Sequence, residues 1–274
     1  MISPMTTDQH TADAFADSWN NLPEGSVYTL DQFIDWMTPL TRVDIEGKSV
    51  LELGCGNGSL MMHMLRWNPA KLIGVDLGDS VRSARQNLMH FPGSWEVLQA
   101  DLVSFQSEGF DVAYCIGVLH HLQNPRAGFE SLVHNTKSGG KFHAWVYAYE
   151  GNALVRYLVD PIRRVTSRLP WWITKWGIAL PLAVPFFLYA NLVERLPERL
   201  GKRLPLGIYS KWVSKRGFAF FHHVAFDQLV TPQTAYLKRS TIESWLRETP
   251  GVRQGSTYLV MRNGNSWKFG GTRT

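Results

Sequence analysis

The sequence predicts an α/β fold with a doubly wound, mostly parallel sheet, and three observations support this prediction. Between residues 49 and 147, short apolar runs alternate with segments whose apolar residues have helical spacing, which is the pattern of strands joined by crossover helices. A glycine-rich turn follows the first run. Acidic residues follow the next two runs, at positions where parallel strands end and ligands bind.

The predicted elements follow in chain order. Ser49–Leu53 is a buried strand ending in Gly54, and the helix after it runs over Ser59–Trp67, before Asn68-Pro69. Further strands are predicted at Lys71–Asp76, Trp95–Gln99, Phe110–Ile116 and Lys141–Val146. Asp79 or Ser80 caps the helix after the second strand, and Pro125–Thr136 is a helix with proline in its first turn.

The alternation of strands and helices ends after Tyr149. Residues 150–224 are apolar stretches interrupted by proline; after them, Ser240 or Thr241 caps a helix that runs to Arg247. Val252–Met261 and Ser266–Phe269 are predicted as closing strands joined by a hairpin at Asn263-Gly264. The chain then divides into an N-terminal helical cap (1–44), a core (45–149 and 225–274) and a helical lid over the substrate (150–224).

Composition excludes several classes of protein. Hydrophobic residues make up 45% of the 274 residues, which excludes a disordered chain. Two cysteines exclude a disulfide scaffold and a zinc site made of cysteine alone. The polar segment Met1–Thr11 does not have the apolar stretch of a secretory signal. We therefore expect a reduced, cytoplasmic compartment.

The positive charge is concentrated in one segment. Residues 156–216 contain 12 Lys and Arg against three acids, a net charge of +9, whereas the rest of the chain has a net charge of −4. The same segment contains Trp171, Trp172, Trp176 and Trp212. The overall charge of +5 therefore describes the predicted lid, and it permits nucleic acid or an anionic membrane as a partner without requiring either.

The glycine-rich turn has the pattern Glu52-x-Gly54-x-Gly56-x-Gly58. Glycines let the backbone pass close to a ligand, and Asp76, at the end of the second strand, is placed to accept both hydroxyls of a ribose. Asp101 follows the third strand, where it would lie beside an adenine. Ser59 stands where a dinucleotide fingerprint has its third glycine, and Glu52 would repel a pyrophosphate. Without a Gly-Lys-Ser/Thr loop, hydrolysis of nucleoside triphosphates is also disfavoured.

At these residues the chain resembles the class I S-adenosylmethionine-dependent methyltransferases. The resemblance is strong over about residues 45–150 and weak over the last 40, and its matching segments are Val50–Gly58, Gly74–Asp76, Ala100-Asp101, Phe110–Val112, Gly117–Leu122 with Pro125, and Ser138–Lys141. It implies a Rossmann-like fold that binds S-adenosylmethionine, and it says almost nothing about the acceptor.

The resemblance also assigns roles to the cofactor-binding residues. It implies that Glu52, Gly54, Cys55 and Gly56 hold the methionine moiety. It implies that Asp76 with Leu77 holds the ribose, that Asp101 with Leu102 holds the adenine, and that Cys115 and Ile116 lie near the sulfonium. Trp19 and Tyr28 are candidates for covering the cofactor; packing of an N-terminal helix explains them equally well.

Candidate catalytic groups are histidines. His120 and His121 follow the fourth strand, where a base would meet the acceptor, and His120 is the first choice because His121 has the more structural position in the motif. His222 is a further candidate. The predicted substrate-contacting residues are His223, Asp227, Tyr236 and Tyr147. No metal is predicted, because these residues do not have the helical spacing of a metal site.

The lid contains 18 consecutive uncharged residues, from Trp176 to Val193. This approaches the roughly 20 residues that span a bilayer, but Pro181 and Pro185 interrupt the run. A soluble lid over an apolar pocket is the favoured interpretation, and peripheral membrane contact through residues 169–193 remains an alternative.

The predicted function is methyl transfer to a hydroxyl, or less favourably to nitrogen or carbon, of a small apolar metabolite. An RNA methyltransferase that uses the basic lid is the first alternative, although the aliphatic run inside the basic stretch disfavours a nucleic-acid partner. A non-catalytic binding protein that keeps the cofactor fold is the second. The sequence does not determine the oligomeric state.

Overall fold

A seven-stranded sheet forms the centre of the protein in the computed structural model. The structure describes residues 7–20 and 28–274, and for Thr7 and residues 17–20 it describes the backbone alone. The strands are β1 (Ser49–Leu53), β2 (Lys71–Asp76), β3 (Trp95–Gln99), β4 (Phe110–Ile116), β5 (Thr136–Tyr147), β6 (Tyr258–Arg262) and β7 (Ser266–Thr272). Their order is β3-β2-β1-β4-β5-β7-β6, and β7 alone among them runs antiparallel to its neighbours.

Helices cover both faces of the sheet. Those outside the lid region are α1 (Thr7–Asn20), α2 (Leu30–Met37), α3 (Arg42–Ile45), α4 (Ser59–Leu65), α5 (Ser80–Leu88), α6 (Pro125–His134) and α12 (Arg239–Glu248). Between β5 and α12 lie α7 (Asp160–Thr166), α8 (Leu180–Arg195), α9 (Glu198–Gly201), α10 (Gly207–Ser214) and α11 (Phe218–Val230). A 3₁₀ turn spans Leu119–His121, and π-helical segments at Val155–Val159 and Ile173–Ala179 lead directly into α7 and α8.

The first four strands have the bounds that the sequence predicts, and the main differences lie at helix ends. Helix α6 ends at His134, and the Asn135 side chain bonds the carbonyl of Ser131, so the chain enters β5 already at Thr136. Helix α12 begins at Arg239 after Lys238, so the predicted caps Ser240 and Thr241 are wrong. The first closing strand, predicted to begin at Val252, begins at Tyr258.

The sheet is buried on both faces because its neighbouring residues point into different cores. In β4, Cys115 packs on the side of Phe129 and Trp245, whereas Tyr114 packs on the side of Phe33. Each of these five side chains is at most 5% exposed. Continuous apolar strands of this kind are typical of a parallel sheet covered by helices.

The chain order reverses at β1, and this reversal places the site. Strand β1 pairs with β2 on one side and with β4 on the other. The loops that leave β1 and β4 therefore diverge above the carboxyl ends of the strands. Open α/β sheets bind ligands in the crevice at this position.

Residues 150–230, called the insert below, form a helical layer with two small cores of their own. Phe226 and Leu229 of α11 centre one core, and Phe221 packs with Ala183 of α8 in the other. The insert returns to the sheet where the Ala235 amide donates to the carbonyl of His120 at 2.7 Å. The insert is therefore held above the carboxyl ends of the strands.

His143 joins the sheet to α2. Its Nε2 lies 2.7 Å from the carbonyl oxygen of Trp36, so Nε2 donates there, and Nδ1 accepts the Tyr258 hydroxyl at 2.6 Å. The ring is fully buried and satisfied in its neutral form. Burial lowers the pKa of His143 from 6.5 to about 4.

We expect this histidine to make stability depend on pH. The unfolded chain takes up a proton near pH 6.5, and the folded chain does so only near pH 4. The stabilisation is therefore complete above pH 6.5 and is lost as the pH falls toward 4. Urea unfolding should show the free energy of unfolding falling by roughly 1–3 kcal/mol more in wild type than in His143→Gln across this range. Equal pH dependence in both proteins would contradict the assignment.

Candidate active site

A cavity of about 460 Å³ runs from the glycine-rich turn after β1 to the inner side of the insert. The core side of its wall includes the turn, the ends of β2 and β4, and part of α1. The insert side is built by α8, α10 and α11. The cavity therefore lies at the crevice that the chain reversal creates, with a second wall that the sheet does not supply.

The glycine turn is shaped for close approach of a ligand. Gly54 has φ +82°, and a Cβ on it would overlap the Val118 side chain. The Gly54 and Cys55 amides both donate to the carbonyl of Val75, at 2.7 and 3.1 Å. The turn is thus fixed to β2, and its small residues leave room above the backbone.

Asp76 connects this turn to the start of α5. Its Oδ2 accepts the Gly56 amide at 2.8 Å, and its Oδ1 accepts the Gly78 amide at 2.9 Å and the Ser80 hydroxyl at 3.2 Å. Burial raises the pKa of Asp76, and the hydrogen bonds oppose that shift. A carboxylate held this way faces the cavity in a fixed orientation, which suits the recognition of paired hydroxyls.

Glu52 places a buried carboxyl beneath the turn. It is 1% exposed, lines the cavity and accepts the Tyr114 hydroxyl at 2.7 Å. Burial raises the pKa of Glu52 to about 8, and the negative charge of Asp76 adds to the shift. A cationic ligand at this wall would favour the ionised form of Glu52, whereas an anionic ligand would be repelled.

Most of the other predicted cofactor residues also line the cavity. These are Cys55, Leu77, Asp101, Leu102, Ile116 and Tyr28. The Asp101 side chain accepts the Val103 amide at 2.9 Å, which fixes the turn after β3. Cys115 is different: its side chain points into the core on the opposite side of β4 and does not line the cavity. The side chain of Trp19 lies outside the described residues.

Of the two histidines after β4, the one favoured as the base is buried, and the one given the more structural position lines the cavity. His120, the first choice as base, is fully buried against the rings of His121 and Tyr147 and does not line the cavity. Neither of its ring nitrogens has a hydrogen-bond partner among the described residues. Burial, followed by the charges of His121 and Arg163, lowers its pKa well below the usual value. His120 is therefore placed as a packing residue.

His121 does line the cavity. Its Nδ1 lies 2.8 Å from the carbonyl oxygen of Gln233, so Nδ1 donates and Nε2 is left as the nitrogen that can accept a proton. Burial lowers the pKa of His121 to about 4. The ring is neutral at neutral pH and holds a proton weakly.

The two neighbouring histidines on α11 also differ in position: one lines the cavity and the other does not. His222 bonds the carbonyl of Lys175 at 2.9 Å and packs beside Trp176, away from the cavity, so its predicted catalytic position is wrong. His223 lines the cavity, with its Nε2 3.2 Å from Oδ2 of Asp227 one helical turn later. An imidazole paired with a carboxylate is an arrangement that accepts a proton and stabilises the resulting charge.

Two tyrosines and a glutamine complete the polar side of the wall. The Gln228 amide donates to the Tyr147 hydroxyl at 2.7 Å, and Tyr147 and Tyr236 stack at 6.2 Å. Arg163, itself 4% exposed, holds Gln228 through its guanidinium and pairs with Asp160 at 2.8 Å. All four predicted substrate residues line the cavity, and two of them, Tyr147 and Tyr236, are on a network that fixes their orientation.

Tyr28 lies between the two halves of the cavity. Burial raises its pKa well above the usual value, and the charge of Asp227 on the insert and that of Glu52 beneath the turn both contribute. Sequence analysis missed Gln228 and Arg163, as well as Phe15 of α1. The i, i+4 spacing of His223 and Asp227 is visible in the sequence and points to the pair; nothing in the sequence pairs Arg163 with Gln228, 65 residues later.

The cavity wall is rich in acids. Its described lining residues include the carboxylates of Asp8, Glu52, Asp76, Asp101 and Asp227. Among these described lining residues, the one Lys or Arg is Arg262, and its guanidinium donates to the Asp35 carboxylate at 2.7 Å. In the described part of the chain, no group of three or more His, Cys, Asp or Glu is placed to hold a metal ion.

Comparisons with known proteins fit this geometry. Residues 51–142, which include the glycine turn and Asp76, match the family described as methyltransferase domain. A tRNA U34 carboxymethyltransferase of Sulfurovum sp. (strain NBC37-1) is 33% identical over 132 residues, 44% of each chain. An uncharacterized protein of Synechococcus sp. (strain ATCC 27144) is 30% identical over 230 residues, 80% of this chain and 49% of that one. The chain spans less than half the length of these relatives.

Among solved structures, magnesium protoporphyrin IX methyltransferase from Synechocystis PCC 6803 with bound S-adenosylmethionine has a TM-score of 0.54. The match covers 100% of both chains at 14% identity. This similarity shows the fold.

The residues present fit S-adenosylmethionine. The glycine turn lines the cavity with backbone where no side chain fits at Gly54, and the buried Glu52 and fixed Asp76 offer carboxylates to its cationic and hydroxyl groups. The turn would hold the methionine portion, and Asp76 the ribose.

Replacing Asp76 by Ala should weaken S-adenosylmethionine binding by at least about tenfold, since at least one charge-assisted hydrogen bond of roughly 1.5–3 kcal/mol is lost. Calorimetry measures the change. Asp79→Asn is the matched control, because Asp79 lies three residues later with an exposed side chain that pairs only with neighbours on the surface. Unchanged affinity in Asp76→Ala would contradict the assignment.

Binding of the cationic cofactor should also ionise Glu52. With a pKa of about 8, this carboxyl is mostly protonated at pH 7, so binding releases a proton and affinity rises from pH 6 to pH 8. Calorimetry in buffers of different ionisation enthalpy counts the protons. Glu52→Gln should release fewer, and because titration of the ligand is common to both proteins, the difference isolates Glu52. An identical proton count would refute the coupling.

Proposed function

We propose that this chain, a member of the class I S-adenosylmethionine-dependent methyltransferases, transfers a methyl group to a hydroxyl of a small, largely apolar acceptor. The observation that carries the proposal is the wall that the insert adds to the cavity. Its apolar lining residues include Leu158, Val159, Ile162, Ala183, Phe186, Phe221, Val224 and Leu229.

The wall favours an apolar acceptor on energetic grounds. Burial of apolar surface contributes about 25 cal/mol per Å². A polyanionic acceptor inside the cavity would instead meet several carboxylates, and the Arg262 guanidinium is already paired with Asp35. The chemistry of the wall therefore selects for an uncharged or weakly polar molecule.

The bound cofactor supplies a methyl group on a sulfonium, a good leaving group. The chain has to exclude water, hold the acceptor oxygen in line and take its proton. His223 is suited to the last task. With the Asp227 carboxylate 3.2 Å from Nε2, the pair can stabilise the imidazolium that forms when the ring takes the proton.

Tyr147, Tyr236 and Gln228 are suited to orienting the acceptor. Gln228 is held by Arg163 and in turn donates to the Tyr147 hydroxyl, so both side chains have fixed positions at the cavity wall. Fixed polar groups in an otherwise apolar pocket are the usual basis of orientation. The nearby His121 offers a second proton acceptor, although burial lowers its pKa to about 4.

Modification of RNA is the second candidate, and the relatives' names favour it over a small-molecule acceptor. A tRNA U34 carboxymethyltransferase acts on tRNA by its name. In this chain, a base would have to enter the cavity while phosphates remained outside, against the cations of the insert. The acids of the cavity wall do not oppose such a geometry, since phosphates would not enter.

One labelling experiment separates the candidates. The protein is incubated with methyl-labelled S-adenosylmethionine and a cell extract, and the products are divided between an organic solvent and an RNA fraction. We expect label in the organic phase, absent with Asp76→Ala and present with Asp79→Asn.

Label that ribonuclease releases from the RNA fraction would overturn the apolar acceptor in favour of RNA. Cofactor binding without label in either fraction would support the non-catalytic binding protein instead.

His223→Asn should lower kcat by on the order of 10²–10³-fold, because asparagine keeps polarity but cannot take a proton. The affinity for S-adenosylmethionine should not change. His222→Asn is the matched control: it removes the neighbouring imidazole, which does not line the cavity. Thermal unfolding of both variants checks folding, and full turnover by a folded His223→Asn would remove this residue as the base.

A further inference from the structure

The insert carries most of the exposed apolar surface of the described chain. Of 19 large apolar side chains that are exposed, 14 lie between residues 154 and 208. Seven of them form what we call the outer face: Trp171, Trp172, Trp176, Leu182, Val184, Leu188 and Leu192. Exposed apolar side chains concentrated in this way on one segment are typical of an interaction site.

Helix α8 carries apolar side chains both on the side that packs within the insert and on the side that is exposed. Its inner side carries Ala183, Ala190 and Val193, which are buried against α10 and α11. On the opposite side, Leu188 is 65% exposed and Leu192 is 61% exposed. The inner side accounts for packing within the insert, so the outer side requires another partner.

The geometry disfavours a membrane-spanning helix. The continuous helical segment Ile173–Arg195 has 23 residues and is long and apolar enough to cross a bilayer. However, its inner side packs on α10 and α11, and the chain on both sides returns to the same helical layer. A helix seated in this way lies along the surface of the protein, with only one side available to lipid.

Charged residues lie at both ends of the outer face. No Lys, Arg, Asp or Glu lies between Trp176 and Val193. Arg164 and Arg168 are exposed before it, and Arg195 and Arg199 are exposed after it. The exposed Glu194 and Glu198 lie beside the latter pair, but residues 194–203 contain four Lys and Arg against these two acids, so this end is also net positive. The Lys175 ammonium lies 5.7 and 5.5 Å from the rings of Trp171 and Trp176.

An apolar stripe with tryptophans at one end and cations at both ends matches the layered chemistry of an anionic membrane surface. Acyl chains accommodate the stripe, indole rings lie at the boundary, and cations meet headgroup phosphates. A second copy of this chain would place the same cations opposite one another. An RNA would leave the aliphatic side chains of α8 without apolar contacts.

The outer face also continues into the cavity. Leu182 belongs to the outer face and lines the cavity, and the exposed Leu154 and Leu158 line it too. A surface seated on lipid would therefore border the place where an apolar molecule enters. This route for the acceptor rests on the proposed function, whereas the docking itself does not.

We propose that the insert docks in the plane of an anionic phospholipid bilayer through its outer face. The side chains of α8 enter the boundary between headgroups and acyl chains, to a depth of about 5–10 Å. The basic residues at its ends contact the headgroups. The cavity then opens beside the lipid phase.

Flotation with vesicles tests the proposal. Wild type should float with vesicles of phosphatidylcholine containing 30% phosphatidylglycerol, and less with phosphatidylcholine alone. The triple variant Trp172→Ser, Leu188→Ser, Leu192→Ser should bind at least tenfold more weakly. The matched control replaces three exposed apolar residues outside the insert, Val43→Ser, Met89→Ser and Val260→Ser, and should float like wild type.

A second measurement separates docking from misfolding and self-association. S-adenosylmethionine affinity should be unchanged in both triple variants, and Arg195→Gln with Arg199→Gln should weaken only the binding to anionic vesicles. No flotation of wild type, or undiminished flotation of the outer-face variant, would overturn the proposal. So would sedimentation showing a wild-type dimer that this variant dissociates, without vesicle binding. Flotation together with label in RNA would leave docking standing and refute the apolar acceptor.

Discussion

The carboxylate of Asp76 is the constraint on which the cofactor side of the protein depends. It accepts the backbone amides of Gly56 and Gly78, so this one side chain joins the end of β2 and the approach to α5 to the glycine turn 20 residues earlier. Without it, the Gly56 amide would be left without this partner inside the protein, which is costly. The turn, the crevice and the acidic wall of the cavity all take their positions from this contact.

In the insert, a buried arginine likewise joins separate segments through its hydrogen bonds. Arg163 bonds Asp160 on its own helix and both the side chain and the carbonyl of Gln228 on α11. A buried guanidinium is stable only when its donors are satisfied in this way. Through Gln228, this guanidinium fixes the Tyr147 hydroxyl at the cavity wall on the acceptor side.

The sheet could be predicted from the sequence because its signals are local. Short apolar runs bounded by glycine and proline define β1 to β4, and the positions of Glu52 and Asp76 follow from them. The direction of individual side chains could not be predicted in the same way. His120 and His121 are neighbours in one 3₁₀ turn, and His222 and His223 are neighbours on one helix. In each pair, packing alone decides which ring faces the cavity, and packing depends on residues more than 100 positions away in the first case. Likewise, alternation along β4 turns Cys115 away from the site that its position suggested.

The separation of charge along the chain has a structural counterpart. Five acids line the cavity, three of them on the core, whereas exposed arginines of the insert lie outside, at the ends of an apolar helix. The net charge of the whole chain thus averages two surfaces that face different surroundings.

The position of β7 in the sheet has a consequence for synthesis. β7 pairs with β5, yet residues 148–265 separate the two strands in the chain. A ribosome adds about 5–20 residues per second, so β5 waits roughly 6–24 s for this neighbour. During that interval its unpaired edge is open to other strands, and the complete insert emerges first. The nascent chain therefore presents its apolar helix to the cell before its sheet is closed, and chaperones or a lipid surface have access to it at that stage.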